Sequence, residues 1–401
     1  MARLMYQIST ASRRKRTLAI PESHTLYLCP NACARRRGLR ALRNGVMDDV
    51  SFLRFSQADI VTGSYERRAI EACGRLLDAL PKRPRVISLY VNCIDDFLGT
   101  DARALVDELS GLHPDVRFIL SRINPISDDV NKTKLQSVHM RLYEPLEPQA
   151  EHDGGVTLLG HFEEIPAASE FYRIVASLGL GPVRQVFTCA DFDEYGLLTK
   201  SRLALSLSHL GDAALADFDR RLGVAGMRWH ASYALDEIER RYQQLAALCG
   251  GSVDCREFAA DARVAIERAR AAVGDMPIAV DSSASLKPFT LALDLLAYGF
   301  NVRAVFALHA KADDSEAARR LAEEYPEVDV VRDGGAGAVR GASHAAKGRA
   351  WIAVGSDAAF LLGAPHTVDM YHDEGYFGFQ GVKALMERLC AAVEGGGGGE
   401  A

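Results

Sequence analysis

A chain of 401 residues, 48% hydrophobic and 25% charged, is long enough for two or three globular domains with well-filled cores. Its formal net charge of −6 provides no long-range attraction to nucleic acid and no commitment to a membrane surface. Because no run of about 18 uncharged apolar residues occurs, the sequence predicts no transmembrane helix.

The N-terminal segment, residues 1–20, has no apolar stretch before its basic run at 13–16, whereas a signal peptide has a charged start followed by an apolar segment. We therefore expect a cytoplasmic protein. The chain has eight cysteines, and stable disulfides are rare in a reducing cytoplasm. Cys73 and Cys390 lie in phase with apolar helix positions, so core packing accounts for both.

Short apolar runs alternate with helical periodicity in three successive blocks, which is typical of βαβ units on parallel sheets. The predicted strands are 86–93 and 116–120 in the first block, 156–162, 183–187 and 203–207 in the second, and 277–281, 302–308, 328–331 and 351–355 in the third. Helices are predicted, among others, at 70–80, 171–178 and 288–300. The predicted fold class is therefore α/β with parallel sheets.

The polar, glycine-containing segment 147–155 is the predicted linker between the first two blocks, and a second boundary is predicted near residue 275. The predicted domains are 1–150, 151–275 and 276–393, followed by a glycine-rich tail, 394–401. The tail is expected to be disordered, because it has no apolar surface to offset its ordering entropy. The glycine-rich stretch 334–348 is expected to be a mobile loop.

Three cysteines of the first block form a candidate metal site. Cys29 and Cys33 are four residues apart, a separation that spans at most about 13 Å, so both sulfurs can reach one cluster. Pro30 and the absence of apolar periodicity after it predict a loop, and the arginines at 35–37 would favour thiolate over thiol. Cys93 ends a predicted buried strand, the place where ligand sites collect in open parallel sheets. By itself, the Cys-x-x-x-Cys motif is weak evidence of metal binding.

The stretch from 24 to 101 resembles the first domain of the nitrogenase component 1 family. CPNAC at 29–33 is similar to the family's Gly-Pro-x-Gly-Cys-like loop, and ADIVTG at 58–63 is similar to its strand end Asp-Ile-Val-x-Gly. ISLYVNCIDDFLGTD at 87–101 resembles the strand that closes on a cluster cysteine. Because the likeness extends through the second and third blocks, it implies three Rossmann-like subdomains with parallel sheets.

The resemblance also implies a cofactor and partners. It implies an iron–sulfur cluster, expected to be of the 4Fe-4S type, with Cys29, Cys33 and Cys93 as ligands. Electrons are expected from an ATP-dependent iron–sulfur reductase component, and assembly is expected as a homo- or heterodimer with a component 1-like chain. No nucleic acid and no membrane partner is expected.

The sequence departs from nitrogenase proper at two positions. The cysteine and histidine that hold the molybdenum-type cofactor there fall on Ser208 and near Val368, which cannot hold it in the same way. Cys33 and Cys93 are sixty residues apart, an interval that looks closer to the tetrapyrrole-reducing branch, with light-independent protochlorophyllide reductase and nickel-sirohydrochlorin reductase. No cysteine precedes Cys29, so Cys29 is expected to substitute for the family's upstream ligand.

The resulting expectation is a nitrogenase-like oxidoreductase subunit that relays electrons to an unsaturated substrate bound between domains. A cofactor-assembly scaffold and a non-catalytic partner subunit remain open alternatives. Cys189, His372 and Asp373 are candidate pocket residues, and the last two are candidate proton donors. Segment 282–288 follows a predicted strand and precedes a helix, so its backbone N–H groups are candidates for anion binding.

Overall fold

The structure is a computed structural model that describes residues 20–123, 134–308, 312–332 and 350–395. Within these residues the strands form three sheets, and every strand pairing is parallel. The predicted α/β class with parallel sheets is confirmed. The described helices include none that is long and apolar enough to cross a membrane. The basic run 13–16, the glycine-rich stretch 334–348 and residues 396–401 of the predicted tail lie outside the described residues.

The chain divides into two compact units that are not contiguous in sequence. Among the described residues, the first unit comprises 20–162 and 182–228, and the second comprises 163–181 and 229–395. The domain boundaries that the sequence places at 150 and 275 stay a prediction.

The first sheet lies in the first unit, with the strand order β2-β1-β3-β4. Its strands are β1 Ser23–Cys29, β2 Val50–Arg54, β3 Val86–Asn92 and β4 Arg117–Ile123. The helices of this stretch are α1 Asn31–Asn44, α2 Gln57–Val61, α3 Tyr65–Ala79, α4 Cys93–Leu98, α5 Ala102–Leu112 and α6 Lys134–Arg141, with a 3₁₀ turn at Met47–Asp49. Cys73 of α3 is fully buried in the core, as predicted.

The loop predicted after Pro30 is wrong, because residues 31–44 form helix α1. Pro30 precedes the helix with φ −64°, and a proline at a helix start sacrifices no hydrogen bond. The side of α1 turned to the protein interior carries the small residues Ala34 and Ala41, which are 3% and 6% exposed. Such small residues give no strong apolar periodicity, although alanine, leucine and arginine all favour helix.

The expectation of a strand that ends at 58–63 is also wrong. Strand β2 ends at Arg54, and the following residues form the short helix α2. Ser56 and Asp59 form a capping box at its start: the Asp59 N–H donates to Ser56 Oγ at 3.3 Å, and the Ser56 N–H donates to Asp59 Oδ2 at 2.8 Å. These two local bonds favour helix over a continued strand.

The second sheet also lies in the first unit, with the strand order β6-β5-β7-β8. Its strands are β5 Val156–Leu159, β6 Val183–Gln185, β7 Leu203–Ser206 and β8 Ala225–Arg228. The helices of this stretch are α7 Glu170–Ser177, α8 Phe192–Gly196 and α9 Asp212–Leu222, with 3₁₀ turns at Val186–Thr188 and Leu197–Lys200. Helix α7 follows β5 in sequence but belongs to the second unit.

The third sheet lies in the second unit, with the strand order β11-β10-β9-β12-β13. Its strands are β9 Ile278–Asp281, β10 Val302–Phe306, β11 Asp329–Val331, β12 Ile352–Val354 and β13 His366–Val368. The helices are α10 Leu235–Leu248, α11 Arg256–Val273, α12 Pro288–Ala297, α13 Ser315–Glu324, α14 Ser356–Leu362 and α15 Gly378–Glu394, with a 3₁₀ turn at Ala312–Asp314. The strand order reverses between β9 and β12, and ligands of open α/β sheets bind beyond the carboxyl ends of strands at such a point.

Glu170 links helix α7 to helices α15 and α10 of the second unit. The Glu170 carboxylate accepts the backbone N–H groups of Phe379 at 2.6 Å and Gln380 at 3.0 Å, at the start of α15. It also accepts the Tyr242 hydroxyl at 2.8 Å. Since the first N–H groups of a helix have no partner within it, Glu170 supplies both the missing acceptors and a favourable negative charge.

Candidate functional site

The candidate ligand residues follow the carboxyl ends of two neighbouring strands in the first sheet. Strands β1 and β3 pair in parallel with Tyr27 opposite Tyr90, so Cys29 and Asn92 end at the same edge of the sheet. Cys93 is the first residue of α4, directly after β3. The backbone of Cys93 therefore lies at a strand end, and its side chain is outside the part that the structure describes.

The side chain of Asn92 links the ends of β1 and β3 at this edge of the sheet. Its Nδ2 donates to the backbone oxygen of Leu28 at 2.6 Å, which joins the end of β3 to the end of β1. Its Oδ1 accepts the Ile94 N–H at 3.0 Å, and its own N–H donates to Asp95 Oδ2 at 2.7 Å. The side chain of Asn92 thus fixes the backbone on both sides of Cys93 relative to the strand that carries Cys29.

Cys29 and Cys33 lie on either side of the turn from β1 into α1. The Cys29 thiol is buried at the strand end, whereas Cys33 is exposed in the first turn of the helix. Burial raises the pKa of the Cys29 thiol to about 11, and the nearby Cys33 adds to the rise, while Arg37 and Arg54 counteract it. The two cysteines therefore lie on consecutive elements, one at the end of β1 and the other in the first turn of α1.

This donor set fits a metal–sulfur centre in its chemistry. Thiolates are soft ligands that suit iron–sulfur clusters, and a buried thiol with a raised pKa loses its proton when metal replaces it. Arg37 and Arg54 offset the negative charge that thiolate ligands bring. Among the side chains that the structure describes, no three His, Cys, Asp or Glu residues are arranged to hold a metal ion, and Cys93 is not among those side chains.

His372 and Asp373 lie in the turn after β13, next to the carboxyl end of β9. The His372 N–H donates to Ser283 O, and the Asp373 N–H donates to Ala284 O, each at 2.9 Å. Both residues have left-handed backbone, with φ of 49° and 61°. Such conformations are uncommon for residues other than glycine, and they occur often at functional sites.

The Asp373 carboxyl is buried and surrounded by protein donors. Ser285 Oγ donates to it at 2.9 Å, the Leu286 N–H at 3.1 Å and Tyr233 Oη at 3.1 Å. Burial raises the pKa of Asp373 to about 6, although the three hydrogen bonds and the charge of Lys287 act in the opposite direction.

Three backbone N–H groups of segment 282–288, the candidate anion site, donate to carboxylates of the chain itself. Leu286 donates to Asp373, as described above. At the start of α12, the N–H groups of Phe289 and Thr290 donate to the Asp314 carboxylate at 2.8 and 3.1 Å. The anion at this helix start is therefore Asp314.

Cys189 belongs to the first unit, whereas His372 and Asp373 belong to the second. Its Sγ donates to Gln185 O at 3.3 Å, and it packs against the hydrophobic core of the first unit. Burial raises the pKa of this thiol to about 11. Cys390 of α15 is 6% exposed, so the core position predicted for it is confirmed.

The sequence matches the family described as nitrogenase component 1 type oxidoreductase over residues 17–394. The chain belongs to this nitrogenase component 1 family. The family predicted from the motifs of the first block is thereby confirmed. Members of the family generally bind metal–sulfur clusters, work with a reductase component and oligomerise.

Solved structures agree with this family at the level of the fold. A structure described as nitrogenase Cp1 at pH 6.5 aligns with a TM-score of 0.72 and 12% identity, covering 98% of this chain and 95% of that one. A structure described as nitrogenase Cp1 at pH 5 aligns with a TM-score of 0.61 and 13% identity, covering 93% and 85%. At these identities the likeness shows the component 1 fold alone. No curated protein matches the sequence.

The expectation that the two molybdenum-cofactor ligand positions of nitrogenase proper fall on Ser208 and near Val368 stays a prediction. Ser208 Oγ donates to the backbone oxygen of Gly160 at 2.7 Å, and the residue is 4% exposed. Val368 is buried in strand β13. Neither the Ser208 side chain nor the Val368 side chain offers a sulfur or an imidazole.

Sequence reasoning missed Asn92 and Glu170. An asparagine between a buried strand and a cysteine is a weak signal that a strand end needs a side-chain bond. Glu170 has no signal at all in the sequence, because its partner Phe379 is 209 residues away.

Proposed function

We propose that the chain is a nitrogenase-like oxidoreductase subunit that binds a 4Fe-4S cluster through Cys29, Cys33 and Cys93. The observation that carries the proposal is the edge of the first sheet, where the buried Cys29 ends β1 and the exposed Cys33 lies in the first turn of the helix that follows. The Asn92 side chain holds the backbone next to Cys93 against the same edge. Membership in the component 1 family supports a metal–sulfur cluster there.

The proposed role is electron relay from an ATP-dependent iron–sulfur reductase to an unsaturated substrate. When bound, the cluster supplies one-electron redox chemistry. The chain's own contribution is to bury Cys29, to balance its charge with Arg37 and Arg54, and to fix the strand ends through Asn92. We propose a homo- or heterodimeric assembly in the cytoplasm.

A tetrapyrrole is the proposed substrate class, in line with the protochlorophyllide and nickel-sirohydrochlorin reductase branch. The interval between Cys33 and Cys93 and the residues Ser208 and Val368 support this over dinitrogen reduction. Cys189, His372 and Asp373 stay proposed pocket residues. A pKa of about 6 suits Asp373 to hold and release a proton near neutral pH, so it is the proposed proton donor.

The test is iron and sulfide content, with electron paramagnetic resonance, after anaerobic purification. Cys33→Ser and Cys93→Ser are each expected to lose most of the bound iron and to change the spectrum of what remains. Cys249→Ser is the matched control, because Cys249 is a half-buried free thiol at the end of α10 in the other unit. Unchanged iron in both ligand variants would remove the ligand assignment.

A further inference from the structure

The chain crosses between its two compact units three times within the described residues, at 162–163, 181–182 and 228–229. At the last crossing, residues 229–234 join β8 to α10 without forming a helix or a strand of their own. We name residues 229–234 the crossover segment. Its Trp229 and Tyr233 are 1% and 3% exposed, and the Trp229 ring packs edge-on against Tyr242 with 4.6 Å between the ring centroids. Two buried aromatic side chains therefore anchor this segment.

Tyr233 is held at three points. Its N–H donates to Asp294 Oδ2 at 3.1 Å, and its hydroxyl donates to Asp373 Oδ1 at 3.1 Å. Its carbonyl oxygen accepts the Tyr298 hydroxyl at 2.5 Å, and the oxygen of that hydroxyl accepts the Leu235 N–H at 3.2 Å. Two carboxyl groups, one on α12 and one in the turn after β13, thus hold the end of the crossover segment.

The turn after β13 also holds the first crossing. Glu374 Oε2 accepts the N–H of Glu163 at 2.7 Å, and Glu163 is the residue with which the chain enters the second unit there. Asp373 and Glu374 are 4% and 3% exposed. Two consecutive buried acidic residues therefore hold two of the three crossings in the described part of the chain.

Asp294 borders a cavity of about 260 Å³. The cavity is lined by the end of the crossover segment, by Tyr298, and by the exposed residues Asp236 of α10 and Arg263 of α11. Because part of its lining is exposed, the cavity gives water a route to the Asp294 carboxyl group. Movement of the crossover segment away from Asp294 would widen this route.

Both carboxyl groups bind protons more tightly than a carboxyl group in water does. Burial raises the pKa of Asp294 to about 7 against the backbone N–H bonds that it accepts, and the charges of Asp236 and Asp314 add to the rise. Burial likewise raises the pKa of Asp373 to about 6, against its hydrogen bonds and the charge of Lys287. Since burial is the largest influence on each group, release of the crossover segment admits water and lowers both pKa values. Release therefore expels protons and is favoured as the pH rises through about 6 to 7.

We propose that Asp294 and Asp373 form a proton-controlled latch, which keeps the crossover segment in place while both groups are protonated and loosens it when they ionise. The latch makes the mobility of the segment between β8 and α10 respond to the acidity of the surroundings. It consists of hydrogen bonds within the second unit, so it requires neither the proposed cluster nor a substrate.

Hydrogen–deuterium exchange of the full chain, read at the amides of the crossover segment and the start of α10, tests the latch. The amides of Tyr233 and Leu235 are themselves donors in its hydrogen bonds. After correction for the intrinsic effect of pH on exchange, their protection is expected to fall about tenfold or more between pH 5 and pH 8. The amides of β9, the buried central strand of the third sheet, report global unfolding and are expected to stay better protected.

The double variant Asp294→Asn with Asp373→Asn keeps an acceptor oxygen at each position and removes both titrating protons. It is therefore expected to abolish the pH dependence of protection in the crossover segment. Asp314→Asn is the matched control, because Asp314 is also buried and also accepts backbone N–H groups, those of Phe289 and Thr290. The control is expected to keep most of the pH dependence.

Tyr233→Phe keeps the ring and removes only the bond to Asp373, so it tests the latch even if the double variant does not fold. Its crossover segment is expected to exchange several-fold faster than that of the natural chain at pH 5. Four results would overturn the latch: protection in the natural chain that does not depend on pH, an unchanged pH dependence in the double variant, unchanged exchange in Tyr233→Phe, or protection equal to that of β9 at every pH. Because the exchange measurement needs no iron in the chain, loss of the proposed cluster would leave this inference standing.

Discussion

At the scale of the residue, Asp373 shows how burial changes the behaviour of a carboxyl group. Its ordinary pKa is 3.8, and burial raises the pKa to about 6. The folded chain therefore binds this proton more tightly than the unfolded chain does. The contribution of the bound Asp373 proton to the free energy of unfolding is complete below about pH 4 and is lost as the pH rises to about 6. Its full size is at most about 3 kcal/mol.

Asp373→Asn is expected to remove that pH dependence. An asparagine can still accept from Ser285 and Leu286, while its amide group donates to the Tyr233 hydroxyl. Urea unfolding of the natural chain and the variant at several pH values measures the difference in their free energies of unfolding. We expect that difference to shift by about 2–3 kcal/mol, in favour of the variant, between pH 4 and pH 7.

The exposed Asp329 provides the control through Asp329→Asn. A difference between the natural chain and the Asp373 variant that stays constant with pH would contradict the raised pKa. The sequence indicated Asp373 only as a candidate pocket residue and proton donor. It did not reveal that Tyr233, Ser285 and Leu286 surround the carboxyl group, because Tyr233 is 140 residues away in the chain.

At the scale of the element, the Asn92 side chain makes two of the hydrogen bonds at the junction of β1, β3 and α4. Asn92→Ala removes the bond to the Leu28 carbonyl and the acceptor of the Ile94 N–H. The expected cost is about 1–3 kcal/mol in the free energy of unfolding, since two partly buried backbone groups lose their partners. If the junction positions the cluster ligands, the variant also loses iron to a chelator several times faster than the natural chain.

Asn301→Ala is the matched control, because the Asn301 amide also donates to a backbone carbonyl, that of Asp275, at 2.8 Å. That bond lies beside the third sheet, in the other unit. Urea unfolding and iron release are measured on both variants. Equal iron release from the two would show that Asn92 has no positioning role.

Helix α1 explains why some elements resist prediction from sequence. The parallel strands were predicted from long runs of buried residues, and Val86, Ile87 and Leu89 of β3 are indeed fully buried. Helix α1 instead packs through alanines and exposes Leu39 and Leu42, so its apolar pattern does not indicate which side faces the core. A proline is also a common loop signal, so Pro30 directly before the start of α1 favoured the prediction of a loop.

At the scale of the whole molecule, helix α7 belongs to a different compact unit from the strands that precede and follow it in the sequence. The sequence places α7 between β5 and β6 of one sheet, which is the usual arrangement of a βαβ unit. In the structure its Phe171 ring packs edge-on against Phe377 at 5.5 Å, and Glu170 caps α15. No local pattern encodes contacts between residues about 200 positions apart. The sequence therefore predicted the three sheets but not that α7 belongs to the second unit.

A fragment that ends at Arg228 therefore leaves α7 without its partners. Phe171, Ile174 and Val175 are buried in the full chain, and Phe171 also packs against Trp229, the first residue lost. We expect the fragment 1–228 to bind the dye ANS strongly and to aggregate, because an apolar helix face is exposed. Phe171→Ser with Ile174→Ser in the same fragment is the control and is expected to lower dye binding several-fold. A monomeric fragment 1–228 that binds no dye would show that α7 packs stably without residues 229–395. The assignment of α7 to the second unit would then be wrong.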